Sequence, residues 1–284
     1  VFNGKITLKV HNNSQLDTIL ENPKISEFVK EIYTEDFTLL EEYYNKFKTI
    51  GINLVYSALG VIRNEEYSVL EKYLFKINGE IFNKVQISTW GSKNFFKSKF
   101  GTKKFNIDTY FNIYNSYSLR FFEKYFDAED ITISQEINKF EIKNLLDKSK
   151  ERNSNVDMII YGHTRAMLTE YCAMGVLTKD CHKDRRCAEC ARSDYVLKDM
   201  GNREFRLFQD MFCRTEIRNH IALDLRENIN EIFELGVDRV RLDFTYEDSD
   251  MVYRILKECV EYLKYSKKFN YKNVFKGHYI NSVN

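Results

Sequence analysis

Eight short apolar runs recur along the chain, with amphipathic or polar stretches between them, and this alternation limits the fold more than any other feature. The runs are Ile6–Val10, Glu31–Phe37, Ile52–Leu59, Lys84–Thr89, Phe105–Asn115, Asp130–Ile137, Asp157–Tyr161 and Val237–Thr245. Sequences such as Ile-Thr-Leu-Lys-Val and Val-Gln-Ile-Ser-Thr carry the β-branched residues of buried strands. Ser14–Leu20, Leu39–Thr49, Glu65–Lys76, Ser116–Tyr125, Lys139–Ser149 and Asp250–Lys264 instead space their apolar residues as helices do. Strands alternating with helices argue for an α/β fold with a parallel sheet. Eight of them fit a (β/α)8 TIM-like barrel, a single domain over residues 1–284. An open doubly wound sheet is the alternative, but no Gly-rich fingerprint follows any run. Residues 172–236 are too long for a turn between strands seven and eight. They are expected as an insertion before the last strand, carrying cysteines on a loop at the C-terminal face of the barrel.

Composition excludes some classes of function. With 284 residues, 43% hydrophobic and 30% charged, the chain can bury one large core. A net charge of +1 gives no global field toward nucleic acid or membrane. No apolar run approaches the length of a membrane span. The opening Val-Phe-Asn-Gly-Lys contains no secretory apolar region, so a reducing, cytoplasmic setting is expected. It also lacks an initiator Met, from which a preceding N-terminal domain of the same chain is expected.

Five of the six cysteines fall between Cys172 and Cys213. The tight pair Cys187-Ala-Glu-Cys190, with Cys172 upstream and Cys213 downstream, has the spacing of a four-thiolate metal or cluster site. Cys181 lies between them without a clear place. Spacing alone does not choose zinc over iron–sulfur, and zinc is the default occupant. Cys259 differs, since it shares a helical face with Val252, Ile255, Leu256, Val260 and Leu263 and reads as a core thiol.

In a barrel of this kind, function gathers at the C-terminal ends of the strands. Those ends carry His11, Glu35 and Asp36, Ser57, Thr89 and Trp90, Asn112 and Asn115, Gln135 and Glu136, His163 and Arg165, and Asp243 and Thr245. Asn115 has a complete explanation as a helix N-cap, and Asn138 reads as a cap for the next helix. Glu136, just past the Ile-Thr-Ile run, is the strongest candidate to reach the barrel mouth. The insertion is rich in arginine, including Arg185, Arg186, Arg192, Arg203, Arg206, Arg214 and Arg218. With acids interleaved, this is either a charge-mixed solvated face or a local surface for an anion or an RNA backbone. Trp90 and some tyrosines are suited to stacking on bases, although most of the nineteen tyrosines must be structural.

These residues also carry a resemblance. Tyr161-Gly162, then Leu168-Thr169-Glu170-Tyr171-Cys172 through Gly175, resembles the signature stretch of the U32 "peptidase/collagenase" family. Cys187-x2-Cys190, Tyr195 to Asp199, Phe205-Arg-Leu, Phe212-Cys213-Arg214 and Asn219 continue it. Gly236 to Thr245 and Lys276-Gly277-His278-Tyr279 do so as well, and upstream Phe111 to Ser116 and Ile133 to Glu136 are similar to strand-end motifs of the same family. One departure stands out: His163-Thr164 intervene where the family has Gly-Arg, which bears on Arg165. The resemblance implies a barrel with a [4Fe-4S] cluster on Cys172, Cys187, Cys190 and Cys213, with zinc as the fallback. It further implies oxygen-independent hydroxylation of a pyrimidine base in tRNA or rRNA, possible dependence on prephenate as oxygen source, and no membrane partner. Glu136, Asn115 and His278 are then the candidate catalytic residues, and Arg165, Arg214 and Arg241 the candidate substrate-binding residues. Peptidase activity is the alternative, although neither HExxH nor G-x-S-x-G is present. A non-catalytic recognition module stapled by a metal is a third reading.

Overall fold

The computed structural model describes residues 4–173, 175, 195–267 and 274–280. In chain order the strands are β1 (Ile6–Lys9), β2 (Val29–Thr34), β3 (Asn53–Ser57), β4 (Lys84–Ile87), β5 (Lys104–Ile107), β6 (Ala128–Thr132) and β7 (Asn155–Gly162), then β8 (Arg165–Thr169), β9 (Val196–Lys198), β10 (Glu204–Gln209), β11 (Thr215–Arg218), β12 (Leu223–Asp224) and β13 (Arg239–Asp243). Strands β1 to β6 pair in parallel in sequence order, β6 pairs β7, β7 pairs β13, and β13 returns to β1 with Ile6 opposite Val240 and Lys9 opposite Asp243. The sheet therefore closes on itself as an eight-stranded parallel barrel with its helices outside. The expected pairing of the first run with the last is present.

The helices are α1 (Asn13–Leu20), α2 (Pro23–Ser26), α3 (Phe37–Thr49), α4 (Asn64–Leu74), α5 (Trp90–Phe100), α6 (Ser116–Phe126), α7 (Lys139–Asp147), α8 (Ile229–Glu234) and α9 (Ser249–Tyr265). Polar residues between strand and helix start most of them. Asn12, Asp36, Thr89, Asn115, Asn138 and Asp248 each accept a backbone N–H in the first turn of the helix that follows. Most strands end earlier than the apolar runs suggest, although β7 continues one residue past its run to Gly162. The run Phe105–Asn115 stops being strand at Ile107, where Asp108 Oδ1 accepts from Thr109 N at 2.9 Å and opens a 3-10 turn. Cys259 is fully buried on α9 with Val252, Ile255, Leu256, Val260 and Leu263, and burial pushes its thiol up to about 12. It is a core thiol, as its spacing implies.

Contacts divide the chain into a barrel unit, residues 1–162 with 224–284, and a second unit, residues 163–223. Both boundaries differ from the expected insertion at 172–236. Residues after Leu223 belong to the barrel unit, where α8 buries Ile229 and Ile232 ahead of β13. The second unit holds a four-stranded antiparallel sheet in the order β8-β11-β10-β9. Its strands are short, β8, β9 and β10 are largely half-buried or exposed while β11 is mostly buried, and none has the continuous apolar character that marks the barrel strands. The last residue of β7 is Gly162, with φ +141. A Cβ there would lie 2.5 Å from the Asp243 carbonyl oxygen, so only glycine lets β7 keep its place beside β13. Among the described residues, no helix is long and apolar enough to cross a membrane.

Candidate functional site

Both faces of a barrel strand are buried, so alternation along it does not separate core from solvent. It separates the helix-facing layer from the barrel interior. In β1, Ile6 and Leu8 alternate with Thr7 and Lys9, and all four are buried. The polar set points inward, since its bonds cross the barrel. Thr7 donates to Asp157 Oδ2 at 3.2 Å, Asn106 donates to both Glu31 and the Tyr33 hydroxyl at 2.8 Å, and Arg241 reaches Asp108 at 2.9 Å. Where many barrels of this class fill the interior with Val, Ile and Leu, this one uses hydrogen-bonded polar groups.

At the C-terminal end these groups form a charged floor to the mouth. Lys9 Nζ lies 2.6 Å from Glu35, while Arg241 bonds Asp108 at 2.9 Å and Asp243 at 2.6 Å. Two cations thus face three carboxylates. Burial opposes the charge on Lys9, but Glu35, Asp108 and Tyr110 outweigh it and raise its pKa. Burial likewise opposes the Asp108 carboxylate, yet Arg241 and Lys9 hold its pKa below the usual range. Ser88 and Thr109 N add hydrogen bonds to the same carboxylate. These groups are fixed before any ligand arrives, which is the preorganisation that catalysis on a charged intermediate requires.

The opposite end holds a second cluster. Glu31, Glu129 and Asp130 bring their oxygens close enough to share a cation. Lys84 Nζ already lies among them, in ion-pair contact with Glu31, with Glu129 at 2.6 Å and with Asp130 at 3.4 Å. The ammonium does there what a metal would do. Further inside, burial and the neighbouring Asp130 push the Asp157 carboxyl up to about 8, against the opposing pull of Arg239.

The second unit positions two of the four expected thiols. Thr169 of β8 stands opposite Thr215 of β11, which places Cys172 and Cys213 at the same end of this ladder. Thr215 Oγ1 donates to Tyr171 O at 2.7 Å and accepts from Ala173 N at 3.3 Å, so it clamps the backbone on both sides of Cys172. Cys213 sits in the turn between β10 and β11, at φ +63. Asp210 builds that turn by accepting from Phe212 N at 2.8 Å and Arg214 N at 2.9 Å, while its carbonyl accepts from Cys213 N at 3.1 Å. Both thiols are partly exposed, and Gly175 N donates to Cys172 Sγ at 3.3 Å. Partial exposure, shared placement and an amide directed at sulfur suit thiolates that share a metal or cluster. Cys181, Cys187 and Cys190 lie outside the described residues.

The other expected residues fall at scattered places. Glu136 is exposed just past β6, and its Oε2 accepts from the Tyr114 hydroxyl at 2.6 Å. Asn115 caps α6, accepting from Tyr117 N and Ser118 N at 3.0 Å, which occupies its side-chain oxygen. His278 is half-buried beside Tyr279, whose carbonyl accepts from Lys139 N at 3.0 Å. Arg165 pairs with Glu216 at 3.1 Å. Arg214 and Arg241 are each 1% exposed and held by two carboxylates, Glu170 with Asp210 and Asp108 with Asp243. Their charges are already neutralised inside the protein, which favours holding those carboxylates over meeting a substrate directly. Lys9, Asp108, Lys84, Asp157 and Asp210 were not singled out from sequence. Lys9 and Asp157 are lone polar residues inside apolar runs, and that interruption was the available signal, whereas Asp108, Lys84 and Asp210 have polar neighbours and carried none.

The sequence profile described as Peptidase family U32 matches residues 32–276, most of the chain. The chain belongs to peptidase family U32. No curated protein matches this U32 member by sequence. Among solved structures it is similar to the spore cortex-lytic enzyme SleL of Bacillus megaterium QM B1551, with 10% identity over 90% of this chain and 74% of that one, at a TM-score of 0.43. It is also similar to a chitinase from Chromobacterium violaceum ATCC 12472, with 9% identity over 90% of this chain and 99% of that one, at a TM-score of 0.40. Likenesses at those values carry no argument about what this U32 chain does.

Proposed function

We propose that this U32 protein is an oxygen-independent hydroxylase of a pyrimidine base in tRNA or rRNA, and that Cys172, Cys187, Cys190 and Cys213 hold a [4Fe-4S] cluster. The observation that carries the proposal is the placement of Cys172 and Cys213 at one end of the β8–β11 ladder, each in a backbone fixed by its own hydrogen bonds. Such a cluster supplies the redox or Lewis-acid capacity that side chains lack for converting C–H to C–OH. The chain's own residues do the rest. Glu136, with its Oε2 bonded to the Tyr114 hydroxyl at 2.6 Å, is the candidate to take or return a proton at the rim of the barrel. Arg241 fixes Asp108 and Asp243 in the polar floor, and that floor, with Lys9, orients a base edge or an oxygen donor such as prephenate.

The test is mass spectrometry of RNA nucleosides from cells with and without the full-length gene. We expect one hydroxylated pyrimidine to disappear and to return with the wild type but not with Cys190→Ala. An unchanged nucleoside profile, together with casein or collagen cleavage by the pure protein, would move the assignment to peptidase.

A further inference from the structure

One side of the barrel unit carries an exposed aromatic strip that nothing above uses. On α6, Tyr117, Phe121 and Tyr125 stand at i, i+4 and i+8, on a single helical face. They are 80%, 40% and 51% exposed. Trp90, at the start of α5 and 56% exposed, packs edge-on against Phe121 with ring centroids 5.6 Å apart. Phe121 and Tyr125 are 4.9 Å apart. The inner edge of α6 explains why the strip holds its shape, since Leu119, Phe122 and Phe126 are buried and Trp90 also rests on Phe126 at 4.6 Å. A row of four large exposed rings leaves apolar surface in water, and such patches mark binding surfaces.

Charge selects the partner. Arg120 and Lys124 flank the strip on α6, and Lys93 lies over the Phe126 ring at 4.4 Å. Among the described residues no carboxylate pairs with any of these three cations. The acids nearby are already engaged, Glu123 by Asn153 N and Ser154 N, and Asp127 by Lys97 at 3.2 Å. Lys93 donates to Tyr125 O and Arg120 to Lys148 O, contacts that leave their positive charge uncompensated, and exposed rings interleaved with such cations suit a ligand with flat faces and a negatively charged backbone. An apolar helix or a second copy of this chain would bury those cations without compensation. The strip also begins at the rim of the barrel, because Trp90 follows the C-terminal end of β4 and Tyr117 follows that of β5.

We infer that Trp90, Tyr117, Phe121 and Tyr125, with Lys93, Arg120 and Lys124, form a stacking platform for single-stranded RNA. Successive bases lie on the rings while the phosphates meet the cations, and the strand runs along α6 to the barrel rim. This rests on the RNA assignment above for the natural ligand, whereas the platform itself stands on the rings and charges.

The chain contains one tryptophan, so Trp90 is an intrinsic reporter. The full chain is titrated with a twelve-nucleotide oligouridine RNA while Trp90 fluorescence is followed at two salt concentrations. Saturable quenching is expected, weaker at high salt. Tyr117→Ala and Phe121→Ala should each weaken binding about fivefold or more, as loss of one stacked base predicts. Arg120→Glu, an exposed change that spares the rings, should weaken it further at low salt. RNA binding that leaves Trp90 unquenched, or quenching indifferent to Phe121→Ala and Arg120→Glu, overturns the platform. So does a dimer, seen by sedimentation, that Phe121→Ala dissolves. If cells lose a hydroxylated pyrimidine while Trp90 stays unquenched, the platform alone fails. If Trp90 is quenched while nucleosides are unchanged, only the modification assignment fails.

Discussion

Asp157 is the residue with the clearest consequence for solution behaviour. Its carboxyl titrates near 8 in the folded barrel because burial and Asp130 oppose its ionisation. In the unfolded chain it titrates near about 4. Between those values the folded state holds a proton that the unfolded state has lost. Its stabilising contribution is therefore complete below pH about 4 and lost as pH rises toward 8, with a slope approaching 1.4 kcal/mol per pH unit, roughly, for one group. Asp157→Asn keeps an acceptor for Thr7 and removes the titration. Denaturant unfolding of wild type and variant from pH 5 to pH 9 should show the variant gaining relative stability as pH rises. A constant difference across that range would place the proton elsewhere.

At the level of elements, the β10–β11 turn decides whether Cys213 is presented at all. Asp210 satisfies two backbone amides there and pairs with Arg214 at 3.2 Å. Asp210→Ala strands buried donors at a cost of about 1–3 kcal/mol, and it should lower iron bound per chain after anaerobic reconstitution. Asp210→Asn, which retains an acceptor for both amides, should recover most of the loss. Equal iron uptake by the alanine variant would show that the turn does not govern the thiol. The turn was only half legible in sequence. Asp-Met-Phe-Cys213-Arg displayed its cysteine, but the role of Asp210 emerges only from the amides it meets. Helix α5 was missed for a related reason, since Trp90-Gly91-Ser92-Lys93-Asn94 opens it without helical periodicity and Thr89 supplies the start by capping. The eight barrel strands were legible because each carries Ile, Val or Leu at buried positions within a short apolar run. The strands of the small sheet were not, because they are short and mix polar and charged residues with apolar ones, as in Glu-Phe-Arg-Leu-Phe-Gln and Thr-Glu-Ile-Arg. The charged interior escaped for the opposite cause: a lone Lys9 or Asp157 in an apolar run resembles a solvent-facing position unless both faces are known to be covered.

For the whole molecule, the two compact units predict a divided response to removal of the proposed cluster. The thiols assigned to it all lie in residues 163–223, whereas the barrel closes through strand pairing that involves none of them. Chelation should therefore speed amide hydrogen exchange in residues 163–223 and leave β1 to β7 protected. Uniform loss of protection would mean that the units unfold together.

The ion-filled barrel also bears on temperature. Unfolding exposes apolar surface, which raises heat capacity by about 0.45 cal/K/mol/Å², and polar surface, which lowers it by about 0.26. Lys9, Glu31, Asp108, Asp157 and Arg241 replace hydrocarbon at the centre of the barrel, so its melting releases less heat capacity than an aliphatic interior of equal size. A smaller heat-capacity change flattens the stability curve, so resistance to chilling is expected to exceed that of a barrel of equal size filled with aliphatic side chains.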